Sequence, residues 1–78
     1  MRKQLLPLTL STPGKEVVMN GVTGGMGLRT RLADMGLTKG ATFRVVQTRQ
    51  PGPCIIAIGD TRLVLGYGMA RKIMVMEK

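Results

Sequence analysis

The chain has no histidine and no tryptophan, one cysteine, one tyrosine, one phenylalanine and only four acidic residues. Each shortage excludes something. Without histidine there is no side chain that ordinarily titrates near neutral pH, and the commonest transition-metal ligand is missing. The carboxylates Glu16, Asp34, Asp60 and Glu77 stand apart in sequence and form no acid–base pair. A direct ferrous site would need their oxygens to meet in space. Cys54 alone makes neither an internal disulfide nor a four-ligand zinc site, and as a nucleophile it has no imidazole to activate it. It opens an apolar run, so a buried structural thiol is the better account. The expectation is a non-enzymatic protein with no cofactor and no metal site.

Small secreted domains usually depend on disulfides, so a lone cysteine fits a reducing compartment, the cytoplasm. No apolar run approaches the roughly 20 residues of a membrane span, which argues against direct membrane insertion. The basic Met1-Arg2-Lys3 and the leucines behind it imitate a signal peptide only in outline. Pro7 breaks the run, and no small-residue cleavage site follows.

What is present is a short, apolar and basic chain. Its 78 residues are expected to form a single domain over 1–78, with 44% apolar residues to build a core. Twelve Lys and Arg against four Asp and Glu leave a net charge of +8, which favours acidic partners. The positive residues are scattered from Arg2 to Lys78 rather than gathered into a block. A small nucleic-acid-binding barrel is therefore an alternative reading. Against it, single-strand binders stack bases on aromatic side chains, and only Phe43 and Tyr67 are available.

Strand signals dominate. Leu5–Leu10 is expected to be extended, because Pro7 lacks a backbone donor and biases Leu6 away from helix. Thr12-Pro13-Gly14-Lys15 is a turn, and Glu16-Val17-Val18-Met19 begins a strand that continues through Val22. From Met26 to Met35, Leu28, Leu32 and Met35 recur at helical spacing. Gly36 stands where a left-handed residue ends a helix, with Leu37 placed for the accompanying apolar contact. Further strands are expected over 41–48, 54–58, 62–65 and 73–76. Gly66 to Arg71 is glycine-rich but allows one tight helical turn. Roughly five short strands and one helix after the first long strand make a mainly β fold, with a small barrel favoured at this size.

Two compositional features admit bland and sharp readings. The cluster Gly21, Gly24, Gly25 and Gly27 matches no phosphate-loop template and reads as a strand-to-helix turn needing permissive dihedrals. Seven methionines are spread through predicted elements, which favours core filling or an adaptable surface over a soft-metal site. Met74 and Met76 alternate with Ile73 and Val75, so both faces of the last strand are apolar. That points to a central strand or to a contact surface, with a homo-oligomer as one outcome.

The run from Gly24 to Lys72 resembles the FeoA family. The resemblance rests on Leu28-Arg29-Thr30-Arg31-Leu32-Ala33-Asp34-Met35-Gly36-Leu37, then Thr38-Lys39-Gly40, and on the Pro51-Gly52-Pro53 loop. It also rests on Gly59-Asp60-Thr61-Arg62-Leu63-Val64-Leu65, and Pro7-Leu8 and Pro13-Gly14-Lys15 resemble the family's N-terminal segment. The resemblance implies an SH3-like barrel. It also implies a small cytosolic accessory of ferrous-iron uptake that binds and modulates the transporter FeoB, through that protein's cytosolic GTPase domain or its membrane part. The expected contact surface is the helix and its exit, with Arg29, Arg31 and Leu37, and secondarily Arg62 and Tyr67. Arg and Tyr suit interface anchors, although a solvated helix face accounts for Arg29 and Arg31 equally well.

Overall fold

Alternation of buried and exposed residues along each strand builds the sheet. The computed structural model describes residues 4–78, and the basic Met1-Arg2-Lys3 opening lies outside them. The strands are β1 (Leu5–Pro7), β2 (Glu16–Val22), β3 (Thr42–Gln47), β4 (Cys54–Ile58), β5 (Thr61–Leu65) and β6 (Ile73–Glu77). They form one antiparallel sheet in the order β1-β6-β2-β3-β4-β5. Successive strand residues point to opposite faces, and one face of each strand supplies the core. Val17 and Met19 enter from β2, Phe43 and Val45 from β3, Cys54 and Ile56 from β4, Leu65 from β5, and Ile73 and Val75 from β6. The sheet curls around this cluster as a small barrel whose first and last strands, β1 and β5, are not hydrogen-bonded to each other.

The N-terminal segment departs from a simple extended run. Only Leu5–Pro7 is strand, and Leu8–Leu10 forms a 3-10 turn. The Ser11 backbone N–H and hydroxyl both donate to the Leu8 carbonyl, which closes the turn and satisfies a buried hydroxyl. Leu8 and Thr9 are thereby carried into the interior. β1 raises the strand number from about five to six and pairs with β6 through Leu5↔Met76, Leu6↔Val75 and Pro7↔Met74. β6 therefore lies between β1 and β2, with Ile73 and Val75 fully buried and Met74 and Met76 half-buried. Its two apolar faces fit a central strand.

The helix α1 (Met26–Asp34) is nine residues long and depends on docking to persist. Leu32 is fully buried, and Leu28 and Met35 pack on the core beside it. Its end is a Schellman motif: the Leu37 N–H donates to the Leu32 carbonyl and the Gly36 N–H to the Ala33 carbonyl, each at 2.9 Å. Gly36 has φ +88, a left-handed conformation that a side chain would strain. In the glycine cluster ahead of the helix, only Gly24 (φ 123) needs that freedom. A second helix, α2 (Tyr67–Ala70), is the single tight turn expected, and it buries Ala70. Long-range side-chain bonds tie down the loops, among them Thr23 Oγ1 donating to the Lys72 carbonyl at 3.3 Å. Gln50 Nε2 donates to the Thr9 carbonyl at 2.6 Å, and the Thr12 N–H donates to Glu77 Oε2 at 2.7 Å.

Candidate functional site: a cationic apolar cleft

β2 carries an irregularity. Met19 pairs with Val75 and Gly21 with Met74, so Asn20 is an extra residue, a β-bulge. Bulges bend a strand and re-aim its side chains, and this one lies where β2 passes α1 and the turn that leaves it. A cleft of about 390 Å³ opens there. Met19, Asn20, Gly21 and Val22 line it from β2, and Arg29 and Ala33 from α1. Leu37, Thr38 and Lys39 complete it. Arg29 and Ala33 are four residues apart and so share one side of the helix, distinct from the Leu28–Leu32–Met35 stripe.

The floor is apolar and the rim is cationic. Met19 and Leu37 are nearly inaccessible, while Arg29, Thr38 and Lys39 are exposed. No carboxylate lines the cleft. Among the described residues the ion pair is Lys78 with Glu16, at 3.7 Å on the surface, and neither Arg29 nor Lys39 forms an ion pair with a described carboxylate. The Asn20 side chain forms no hydrogen bond among those resolved, and it is half-buried rather than sealed in.

The expected contact residues are only partly brought together. Arg29 is on the cleft. Arg31, two residues further along the helix, is exposed but does not line it. Leu37 requires a correction: it is 1% exposed and belongs to the core, because the Schellman turn folds it under the helix end. It floors the cleft rather than projecting from it. Arg62 lies on β5 opposite Ala57, and Tyr67 opens α2, 38% exposed; neither lines the cleft. Sequence reasoning missed Asn20 and Lys39. The signal for Asn20 was present, since Asn-Gly inside a strand marks a bulge.

The ionisable groups offer little catalytic chemistry. Burial pushes the Cys54 thiol up to about 11, so it stays protonated and unreactive. Glu77 is held below the usual carboxylate range, first by the Thr12 backbone N–H, then by the Thr12 side chain, with Lys15 adding a smaller pull. No group of three or more His, Cys, Asp or Glu is placed to hold a metal ion among the described residues.

Comparison with known proteins decides the family. The FeoA domain pattern matches residues 6–77. This chain belongs to the FeoA family. It is 35% identical over 73 residues to a candidate Fe(2+) transport protein A of Methanocaldococcus jannaschii, which covers 94% of this chain and 88% of that one. The crystal structure of the iron uptake regulatory protein FeoA superimposes with a TM-score of 0.86 at 36% identity, covering 96% of this chain and all of that one. A manganese-dependent transcriptional repressor shares the fold with a TM-score of 0.85 over the whole of this chain and 44% of its own, at 19% identity. The barrel is thus SH3-like, the architecture of FeoA, a ferrous iron transport protein. Among the described residues of this FeoA-family chain no helix is long and apolar enough to cross a membrane.

Proposed function

We propose that this FeoA domain is a cytoplasmic, non-enzymatic accessory of ferrous-iron uptake that binds a FeoB-type transporter through protein–protein contacts and modulates it. The observation that carries the reading is the cleft between β2 and α1: an apolar floor under two exposed cations, in a protein whose family serves Fe(2+) transport. Apolar floors with charged rims suit protein contacts, where the floor supplies affinity and the rim supplies steering. The nucleic-acid reading is weaker, because Phe43 is buried in the core and is lost as a stacking platform.

The test is a titration of isotope-labelled protein, followed by NMR, with the cytosolic GTPase domain of the FeoB-type transporter from the same organism, and then with the whole transporter in lipid nanodiscs. Localised shifts with either are expected. Absence of shifts with both, at concentrations that detect weak contacts, overturns the proposal.

A further inference from the structure

We infer that the cleft between β2 and α1 is a docking site for a short acidic peptide segment, which seats an aliphatic side chain on the floor and sets carboxylates against Arg29 and Lys39. The inference rests on the accessory reading only in supposing that the partner is a protein. Three features of the cleft select this occupant.

The first is charge. Arg29 and Lys39 both line the cleft, one on α1 and the other on the turn after it, and both are exposed. The four carboxylates of the chain lie elsewhere. Glu16 pairs with Lys78, Glu77 accepts from Thr12, Asp60 turns β4 into β5, and Asp34 is on α1 outside the lining. With a net charge of +8, the chain has no internal anion to spend on this rim. Rim charges of one sign steer an oppositely charged partner.

The second is the floor. Met19 and Leu37 at the base, with the half-buried Val22 and the exposed Ala33 beside them, make an apolar lining, and the methionine thioether adapts to varied side chains. A free small anion gains nothing from such a surface, whereas a leucine-like side chain does.

The third is the bulge. It brings Asn20 into the lining of the cleft, and the Asn20 carboxamide, with a donor and an acceptor, has no hydrogen-bond partner among those resolved. An extended peptide backbone presents the complementary pair.

The experiment uses the whole chain and a defined probe, acetyl-Asp-Leu-Leu-Glu-amide, titrated to millimolar concentration and followed by NMR. Saturable shifts are expected at Asn20, Gly21, Ala33 and Thr38. The Asn/Gln counterpart peptide should bind about tenfold more weakly, the loss expected of two exposed ion pairs. The double variant Arg29→Gln with Lys39→Gln should lose a similar factor. Ala33→Leu, which adds bulk at the helix wall, should abolish binding, and the charge variant keeps the test intact if Ala33→Leu folds poorly. Sodium sulfate alone should not reproduce the shifts. The inference is overturned if the peptide gives no saturable shift, if sulfate reproduces its shifts, or if the shifts centre on β5 and α2. The transporter reading is judged separately. Peptide binding without any response to the transporter leaves the cleft standing and removes that partner. A transporter footprint away from the cleft does the reverse.

Discussion

The β4–β5 hairpin and the β2–α1 region are two ways of using the same barrel. The hairpin keeps an unbroken register from Cys54↔Leu65 to Ile58↔Thr61, and its inward residues Cys54, Ile56 and Leu65 are in the core. β2 breaks register at Asn20, and beside that break sits a cleft with exposed cations. Regular pairing maximises buried contact and leaves little surface of mixed character. An irregular strand gives up some pairing and exposes the groups that a partner can read.

The contrast can be broken most strongly from the hairpin side. Ile56→Ala removes a fully buried side chain and should cost about 2–5 kcal/mol of stability. Ala33→Leu on the exposed cleft wall should change stability by only about 0.5 kcal/mol in either direction. Equilibrium urea denaturation measures both, and equal losses would erase the distinction. An effect between these two is expected where the helix ends. Gly36→Ala places a side chain at φ +88 and should cost about 1–2 kcal/mol, read from the shift in melting temperature.

Cys54 reports on the hairpin without a large perturbation. It is fully buried and its thiol is pushed up to about 11, so a thiol reagent should leave the native protein unmodified and label it only on unfolding. Fast labelling of the native state would mean that the hairpin opens locally. The smallest effect belongs to Glu77. Its carboxyl titrates below its unfolded value in the native state, so its stabilising contribution is full above the ordinary carboxylate range and is lost as pH falls through the native pKa. Glu77→Gln should therefore be less stable than the parent near neutral pH, and the gap should close in acid. A gap independent of pH would assign the effect to packing instead.

Much of the fold was legible in local residue patterns. β-branched runs marked β2 and β4, and Leu28, Leu32 and Met35 with Gly36 marked α1 and its end. These signals are local, because side-chain shape and glycine dihedrals act over a few residues. β1 was hidden by its length: three residues carry no period, and the strand exists because β6 offers it an edge. The site was less legible than the fold. Arg29 could be named from its place off the apolar stripe, but Leu37 was assigned to the surface although the helix terminus buries it. Lys39 gave no signal of its own.

The sequence by itself determined that the chain is basic, mainly β and without a histidine or an internal disulfide, because composition and short-range pattern decide those properties. It also carried the FeoA resemblance, since that lies in the order of the residues. Only the tertiary structure decided that Asn20, Arg29 and Lys39 share one cleft. Their proximity depends on how α1 docks on the core and on where the bulge falls in the β2–β6 ladder, which pairs residues more than fifty positions apart in the chain, such as Met19 with Val75.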